Sequence, residues 1–251
     1  MTKGKSKAGV QLGAAAYSPL YRQIRDLLLQ ALDAGEWRPG DMIPSEVELA
    51  ARYSVSQGTV RKAIDELAAE HIVIRRQGRG TFVATHQEDH IRFRFLRLTP
   101  DDGERVAPTS QILFCRRVRA TAEIANALQL TTGAPLVFIR RVLSFEQKPT
   151  LVDDIYLPGA LFKDMSIKLL KDKPGPLYWL FEDHFEVSMV RAEEKLRAQR
   201  VDAEIATLLE LEPDQPVLKV ERTSYTYGDR AVELRIGYYN TERYYYHNSL
   251  I

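Results

Sequence analysis

Residues 43–83 read IPSEVELAARYSVSQGTVRKAIDELAAEHIVIRRQGRGTFV, and this stretch decides the fold of the first third of the chain. Ser45 and Glu48 have the spacing of a capping box, which predicts that a short helix begins here. Ser56 can cap a second helix, because apolar residues recur at the helical period after it. Those residues are Val60, Ala63, Ile64, Leu67 and Ala68. Two short helices separated by a tight polar turn predict a helix-turn-helix.

A glycine-rich hairpin is predicted after the second helix. Residues 72–76 and 81–83 have the composition of strands, and residues 77–80, QGRG, form the turn between them. Arginines within and beside this turn, among them Arg76 and Arg79, make the hairpin basic. A basic hairpin beside a helix that can enter the major groove predicts a winged helix-turn-helix that binds DNA.

Short polar side chains and cations at the start of the second helix predict its contacts with DNA. Such groups can reach phosphates and base edges, and Gly58 allows a close approach. We expect Gln57 and Thr59 to read bases, whereas Arg61 and Arg79 position the helix on phosphates. The predicted DNA-binding residues are Ser45, Ser56, Gln57, Gly58, Thr59, Arg61, Lys62, Arg76, Gln77, Gly78 and Arg79.

Three motifs, in this order, resemble those of the GntR family of transcription regulators. They are Pro44-Ser45-Glu46-x-Glu48-Leu49-Ala50, Val55-Ser56-x-x-Thr59-Val60-Arg61-x-Ala63-x-x-x-Leu67 and Gln77-Gly78-Arg79-Gly80-Thr81-Phe82-Val83. The resemblance implies a homodimer that binds a near-palindromic double-stranded DNA operator, usually as a repressor, with activation left open. Val47 departs from the family, which often has arginine there, so this chain is expected to make one phosphate or base contact fewer.

The bulk composition permits DNA binding without requiring it. The chain has 251 residues and a net charge of +1. Residues 1–85 carry 12 Lys and Arg against 9 Asp and Glu, whereas residues 86–251 carry 23 against 25. Cys115 is the only cysteine, which excludes an intrachain disulfide and a thiolate zinc cluster. No apolar run is long enough to span a membrane and no signal core begins the chain, which predicts a cytoplasmic protein without membrane contact.

The residues before this stretch complete the first domain. Residues 1–16 are small, basic and unpatterned, which predicts a disordered arm. A helix predicted from Ser18 and Pro19 completes a DNA-binding domain over residues 17–84. Its buried stripe is predicted to be Leu20, Ile24, Leu27, Leu28 and Ala31.

A polar segment over residues 85–91 predicts a linker to a second domain. His86 and His90 lie four residues apart, a spacing that can serve a metal on a helix. The segment has no helical stripe and no third ligand nearby. We therefore expect both histidines to be exposed to solvent, and we predict neither a metal nor a cofactor.

The rest of the chain contains an internal repeat with an offset of 81 residues. Residues 121–130, TAEIANALQL, recur as residues 202–211, DAEIATLLEL, and Pro135 and Pro216 keep the same offset. In each copy a capped helix is followed by a β-rich run that turns and returns. The predicted strands are 136–144, 150–156, 217–225 and 231–239, with further strands near 92–98, 110–119 and 187–198. The repeat predicts an α+β domain around one antiparallel sheet.

The order of these elements resembles the UTRA effector-binding domain of the HutC subfamily within the GntR family. The likeness is carried by Val137-Phe138-Ile139-Arg140-Arg141, Leu151-Val152-Asp153, Tyr156-Leu157-Pro158 and the ending from Glu233 through Tyr239 to Arg243-Tyr244. It implies a chorismate-lyase-like fold over residues 92–251 that binds a small-molecule effector and forms the dimer. The whole chain is therefore predicted as α+β, with an N-terminal winged helix-turn-helix domain and a C-terminal antiparallel-sheet domain.

Polar residues inside apolar strands indicate the effector site. By the resemblance, the residues that line it are Arg141, Asp153, Arg191, Glu233 and Tyr239. The arginines would grip an anion through two-point contacts, Asp153 and Glu233 would accept hydrogen bonds, and Tyr239 would cover one face. The alternative for each is an exposed strand charge or a cross-strand salt bridge. Leu143 and residues 91–95 stand where sugar-phosphate-binding relatives have phosphate-binding groups, which favours a carboxylate-bearing metabolite.

Two other classes of protein fit parts of the sequence. The second fold is shared with a lyase, and a pocket with arginines could host an enzyme. No nucleophile with a neighbouring base, metal cluster or phosphate loop appears, so no catalytic residue is predicted. A winged helix can also serve protein contacts, but such a module does not need a basic wing. The sequence therefore favours a DNA-binding regulator.

Overall fold

The first domain contains three helices and one hairpin. The computed structural model describes residues 18–86, 95–103 and 106–248. The expected arm over residues 1–16 and part of the expected linker, residues 87–91, lie outside the described residues. The elements of this domain are α1 (Leu20–Asp33), α2 (Glu46–Tyr53), α3 (Gln57–Ala69), β1 (Val73–Arg76) and β2 (Gly80–Val83).

Local capping defines the helix-turn-helix, as the sequence predicts. The Ser45 hydroxyl accepts a hydrogen bond from the backbone N–H of Glu48 at 3.3 Å, and the Glu48 carboxylate accepts one from the backbone N–H of Ser45 at 2.8 Å. α2 ends at Ser54, whose φ of 53° is left-handed. Ser56 caps α3 by accepting from the backbone N–H of Thr59 at 3.2 Å. The buried residues of α3 are Val60, Ala63, Ile64 and Leu67.

The buried face of α1 is narrower than the sequence indicates. Ile24, Leu28 and Leu32 are buried at a regular spacing of four residues. Leu20 and Leu27 are 50% and 41% exposed, so the prediction that both belong to the buried stripe is wrong. α1 packs against α3. Leu20 keeps the four-residue spacing but is the first residue of α1 and lies outside this core, whereas Leu27 lies beside the buried line of side chains.

A six-stranded antiparallel sheet forms the centre of the second domain. After the short strand β3 (Leu98–Pro100), its strands are β4 (Thr109–Arg119), β5 (Pro135–Phe145), β6 (Lys148–Pro158), β7 (Arg191–Arg200), β8 (Pro216–Tyr225) and β9 (Ala231–Tyr239). Their spatial order is β4-β5-β6-β9-β8-β7. The repeat therefore relates the triplet β4-β5-β6 to the triplet β7-β8-β9, and the triplets meet where β6 pairs with β9. This arrangement confirms the predicted antiparallel sheet, although β3 lies outside it in a separate two-stranded sheet.

Four helices among the described residues accompany the sheet. They are α4 (Ala122–Ala127), α5 (Ile167–Asp172), α6 (Leu177–Phe185) and α7 (Ala203–Leu209). Thr121 and Asp202 cap α4 and α7 with their side chains, as the repeat predicts. The sequence patterns predict neither α5 nor α6. α6 buries residues on most of its sides, so it lacks the polar face that marks a helical period.

The two faces of the sheet pack against different helices. On one face, Ile139 of β5 shares a core with Phe181 of α6. On the other, Val142 of β5 shares a core with Ile205 of α7. Because successive strand residues point to opposite faces, Arg141 lies on the same face as Ile139. α6 therefore covers the face that carries this charged residue.

Two predicted strands differ from the observed ones. β7 begins at Arg191, four residues after its predicted start, because residues 187–189 are buried beside α6 instead. Of the predicted strand 92–98, residues 92–94 lie outside the described residues, and the observed strand is β3. β3 pairs with β10 (Tyr244–Tyr246), which brings the end of the described chain beside its start in this domain.

The turn after β8 packs against the first domain. Tyr227 lies in a single 3-10 turn (Tyr227–Asp229) and joins the hydrophobic core that contains Ile24 and Leu28 of α1. Burial raises the pKa of Tyr227 to about 12. Nearby, Arg230 Nη2 and Asp33 Oδ1 form an ion pair at 3.4 Å. These contacts fix the position of α1 relative to the β8–β9 turn.

Candidate DNA-binding surface and ligand cavity

The N-terminal end of α3 is open to solvent. Ser56, Gln57 and Gly58 are exposed, and Thr59 is half-buried. Ser45 is exposed at the corresponding end of α2. The first N–H groups of a helix lack partners within it and carry a partial positive charge, which suits a phosphate. The start of α3 can therefore approach a nucleic-acid backbone.

A carboxylate of α2 holds the Arg61 guanidinium in place. Arg61 Nε donates to Glu46 Oε2 at 2.9 Å, and Gln57 Nε2 donates to the same oxygen at 3.2 Å. Arg75 Nη2 of β1 donates to Glu46 Oε1 at 3.3 Å. The hydrogen bond from Arg61 holds the pKa of Glu46 below its usual value, against a smaller opposing effect of burial. Glu46 therefore keeps two predicted contact residues, Gln57 and Arg61, side by side on the outer surface.

The remaining predicted DNA-binding residues lie on the wing and on the side of α3. Gln77, Gly78 and Arg79 are exposed at the wing tip. The Arg76 guanidinium carbon lies 4.5 Å from the ring centroid of Phe82, and Lys62 Nζ lies 3.9 Å from that of Tyr21. Lys62 is thereby directed towards α1. All the predicted DNA-binding residues are exposed or half-buried.

A cavity of about 280 Å³ lies between the sheet and α6. Its polar wall includes Arg141 of β5, Arg222 of β8, Arg235 and Tyr239 of β9, and Tyr178 of α6. Pockets that hold small molecules usually start at about 300 Å³. The cavity therefore suits a small ligand.

Buried carboxylates hold two of these arginines from behind. Asp153 Oδ2 accepts from Nε and Nη2 of Arg141 at 2.9 and 2.8 Å, and from Nη1 of Arg235 at 3.3 Å. Glu233 Oε1 accepts from Nε of Arg235 at 2.9 Å. Burial alone would raise the pKa of Asp153, but the charges of Arg235 and Arg141 outweigh it and hold the pKa below its usual value. The buried carboxylate is therefore ionised.

Arg222 and Arg235 line the cavity but are not among the residues predicted from the sequence. Arg222 Nε donates to Glu194 at 2.6 Å, and its Nη2 donates to the carbonyl oxygen of Phe95 at 2.6 Å. The signal that could have found Arg222 is the repeat, because Arg222 follows Arg141 by the same 81 residues. Arg235 is the repeat counterpart of an aspartate, so the repeat gives no comparable signal for it.

The structure brings some of the predicted effector-site residues together and separates others. Arg141 and Tyr239 line the cavity. Asp153 and Glu233 are 0% exposed, so they support the arginines and do not face a ligand. Arg141 and Asp153 are paired across β5 and β6, which fits the cross-strand salt bridge left open as an alternative. Arg191 lies outside the described cavity wall, in ion pairs with two other carboxylates at 2.6 and 3.0 Å.

The ring of Tyr239 is positioned over a glycine. A Cβ atom at Gly237 would lie 2.5 Å from Cε2 of Tyr239 and 3.3 Å from Oδ1 of Asp153. Real Cβ atoms do not approach a ring atom so closely, so the ring would have to move. Gly237 therefore allows Tyr239 to fold back against the buried carboxylate and close one side of the cavity.

The start of the linker is bound to α6. The Thr85 hydroxyl and the backbone N–H of His86 both donate to the carboxylate of Glu182, the latter at 3.2 Å. Burial raises the pKa of Glu182, although these two hydrogen bonds oppose the shift. α6 therefore contacts the connection to the first domain directly.

His86 is buried, so the prediction that it is exposed to solvent is wrong. Its Nε2 lies 3.1 Å from the carbonyl oxygen of Met189, and its ring centroid lies 5.5 Å from that of Tyr178. The prediction failed because the neighbours of His86 in the sequence are polar, whereas its burial depends on packing against α6. His86 also lines the cavity, so the linker and the cavity share a residue. His90 lies outside the described residues.

The described residues show no cluster of three His, Cys, Asp or Glu side chains placed to hold a metal ion. Within the same residues, no helix combines the length and the apolar character needed to cross a membrane. Cys115 is half-buried, and burial raises the pKa of its thiol. A protonated thiol is a poor nucleophile and metal ligand.

Two family models match the chain. The model for bacterial regulatory proteins of the gntR family matches residues 20–83, and the UTRA domain model matches residues 103–245. The first match covers the three helices and the hairpin. The second covers the six-stranded sheet and more than half of the chain.

Known relatives match this chain over most of their length. The Mannosyl-D-glycerate transport/metabolism system repressor MngR of Escherichia coli (strain K12) is 28% identical over 91% of this chain and 94% of its own. The Histidine utilization repressor of Pseudomonas putida is 28% identical over 83% of each chain. Both are named as repressors, and their names refer to different metabolic systems.

Solved structures share the fold. The ligand-binding domain of a protein assigned to the GntR-family transcriptional regulators of Bordetella bronchiseptica is 54% identical, with a TM-score of 0.60. The match covers 63% of this chain and 98% of that domain. YydK of Bacillus subtilis is 16% identical, with a TM-score of 0.57 over 91% of this chain and 99% of its own. The second likeness shows the fold alone.

We expect Gly237→Ala to lower the stability of the protein, because the new Cβ atom displaces the Tyr239 ring from its site. The expected loss is about 1–3 kcal/mol, measured by urea denaturation. Gly58→Ala is the matched control, since it adds the same methyl group to α3 where the nearest atom is 3.9 Å away. That substitution should stabilise the helix slightly. Equal stability of Gly237→Ala and the unsubstituted protein would contradict the described position of the ring.

Proposed function

Because the chain belongs to the GntR family of bacterial regulatory proteins and carries a UTRA domain, we propose that it is a transcriptional repressor whose DNA affinity is changed by a small anionic metabolite. The observation that carries this proposal is the position of α6. Tyr178 of α6 lines the cavity, and Glu182, one turn later, binds the start of the linker. One helix therefore contacts both the ligand site and the connection to the first domain.

The proposed DNA complex uses residues 17–84 of each protomer in a homodimer. Two copies of α3 enter successive major grooves of a near-palindromic operator, about 34–36 Å apart, and the wings reach the flanking minor grooves. Arg61 and Arg79 position the domain on phosphates, while Gln57 and Thr59 read bases. All four residues are exposed or half-buried on the α3 and wing surface, which supports this assignment.

The proposed effector site is the cavity of the second domain. This domain covers residues 92–251 and is also proposed to form the dimer. Three guanidinium groups, those of Arg141, Arg222 and Arg235, face the cavity. Guanidinium groups bind carboxylates through paired hydrogen bonds, which supports an anionic and carboxylate-bearing ligand. The different systems in the relatives' names support a ligand that varies within the family.

The proposed coupling runs through α6 and the linker over residues 85–91. A ligand can change DNA affinity only when it binds one arrangement of the two DNA-binding domains better than another. A ligand that shifts Tyr178 would also shift Glu182, because both side chains belong to one rigid helix. The hydrogen bonds from Thr85 and His86 would carry that displacement to the first domain.

The relatives favour a regulator over the two competing classes. The two relatives compared above are named as repressors, which argues against an enzyme built on the lyase-like fold. The match of the gntR model to residues 20–83 argues against a winged helix kept only for protein contacts. We therefore assign no catalytic residue.

We expect Arg61→Ala to weaken binding to the operator by at least about tenfold, because it removes a charge-assisted contact to phosphate. The measurement is a gel shift or fluorescence anisotropy titration on DNA from upstream of the protein's own gene, at several salt concentrations. The slope of log affinity against log salt should fall by about 0.9 for each phosphate that the variant no longer neutralises.

Arg197→Ala is the control for this experiment, because it removes an exposed arginine from β7 in the second domain. It should leave both the affinity and the salt slope unchanged. Equal effects of the two substitutions would show that net charge, and not the α3 surface, governs binding. Absence of salt-sensitive binding to any upstream site would contradict the proposed function.

We expect stability to depend on pH through Glu182. The raised pKa means that the folded state holds this proton more tightly than the unfolded chain does. The resulting stabilisation is complete below the ordinary carboxyl pKa of 4.5 and is lost as pH rises through the raised value. The melting temperature of the unsubstituted protein should therefore fall relative to that of Glu182→Gln as pH rises above this region.

Glu186→Gln is the matched control, since Glu186 is an exposed carboxylate just after α6. It should keep the pH trend of the unsubstituted protein, measured by differential scanning fluorimetry. Parallel curves for Glu182→Gln and Glu186→Gln would show that the buried carboxylate at the linker does not titrate as described.

A further inference from the structure

The cavity wall has few side chains that can accept hydrogen bonds from the hydroxyl groups of a ligand. Among the described residues it contains no Asp, Glu, Asn, Gln or Thr. Its hydroxyl groups belong to Ser110, Tyr178 and Tyr239, and the Tyr178 hydroxyl already donates to Glu233 at 2.6 Å. A sugar placed here would leave several of its hydroxyl protons without an acceptor, and each unpaired donor costs free energy when it is buried.

Apolar side chains form much of the remaining wall. They include Leu96, Ile112, Leu143, Leu151, Leu170 and Leu177. Leu143 and Leu151 face each other across β5 and β6. The rings of Phe95 and Tyr178 meet edge to face with their centroids 5.0 Å apart. A further ring or alkyl group would be stabilised here by burial and by the edge-to-face geometry that aromatic rings prefer.

Arginines of β5, β8 and β9 line one side of the cavity, and Lys173, which also lines it, is paired with Asp183 at 2.8 Å. Arg141 and Arg235 line the cavity, whereas their partners Asp153 and Glu233 are fully buried behind them. Nη1 of Arg141 donates to none of the described residues, while its Nε and Nη2 are bound to Asp153. The guanidinium groups therefore face the cavity, and the carboxylates that balance their charge lie behind them.

This arrangement favours a ligand with one negative charge. The carboxylates behind the arginines already offset much of their charge, so a dianion would be only partly compensated. A carboxylate carries a single charge and fits a guanidinium edge. A phosphate monoester carries between one and two charges at neutral pH and needs more donors.

From this wall we infer that the cavity binds a small monocarboxylate with an apolar, aromatic body. The carboxylate lies against Arg141 and its neighbouring arginines, and the body lies among the leucines beside Phe95 and Tyr178. The cavity volume of about 280 Å³ suits a small acid. The inference rests on the proposed function, because it names the class of effector for the same site.

The experiment uses the full chain and a panel of small molecules that separates the effect of the negative charge from that of the apolar body. Benzoate and phenylacetate carry both features, benzamide lacks the charge, gluconate lacks the apolar body, and glucose 6-phosphate adds a dianionic group. Thermal shift and isothermal titration calorimetry report binding to the folded protein. We expect benzoate or phenylacetate to raise the melting temperature and to bind at least about tenfold more tightly than benzamide, gluconate or glucose 6-phosphate.

Two variants test the position of the ligand body. Ile112→Asn places an amide in the apolar wall and should weaken binding of the aromatic acids at least about tenfold. Leu196→Asn is the control for this variant, since Leu196 is an exposed apolar residue of β7 outside the described wall.

The outcomes separate this inference from the proposed function. Tighter binding of gluconate or glucose 6-phosphate than of either aromatic acid would overturn the inference, and so would binding of no member of the panel. A gluconate or glucose 6-phosphate complex that released operator DNA would still support the proposed function. Aromatic acids that bound the cavity without changing operator affinity would support the ligand class and contradict the regulatory role.

Discussion

The ion pairs of Asp153 are the interaction on which the second domain depends. This carboxylate is completely buried in β6 and accepts hydrogen bonds from Arg141 of β5 and Arg235 of β9. Removing an ionised carboxylate from water costs several kcal/mol, so the fold tolerates it only with both cations in place. The same bonds fix the two guanidinium groups at the cavity wall. The charge of the proposed ligand site is thus set by a group that faces away from the cavity.

Duplication of the sheet explains why the cavity lies where the two triplets of strands meet. Arg141 and Arg222 occupy corresponding positions in the two copies, and both line the cavity. The copies differ at another pair of positions: Asp153 of β6 lies opposite Arg141, whereas Arg235 of β9 lies opposite Arg222. This difference supplies the third arginine and makes the site asymmetric. An asymmetric site can hold a ligand with a charged end and an apolar end.

The sequence predicts those features that depend on neighbouring residues in the chain. Capping by Ser45 and Ser56 and the 81-residue repeat need no tertiary information, and the observed helices and strands confirm them. Whether a charged strand residue faces solvent, the core or a cavity depends on the strand register and on the helix that covers the sheet. The sequence alone therefore does not show whether Asp153 contacts a ligand or supports another residue. The same limit applies to Leu27 and His86, whose exposure is decided by the partner that packs against them.

The first domain is held to the second at two separate places, and this restricts how a ligand could act. Glu182 binds the linker, while Tyr227 inserts into the core beneath α1. If α6 alone moved, the linker would move with it while the Tyr227 contact stayed fixed. The first domain would then rotate about that contact. A displacement that also withdrew the Tyr227 ring from that core would release the domain instead, and the nearby Arg230–Asp33 ion pair would break with it. That ion pair is exposed and contributes little, so the buried Tyr227 ring is the contact that decides between rotation and release.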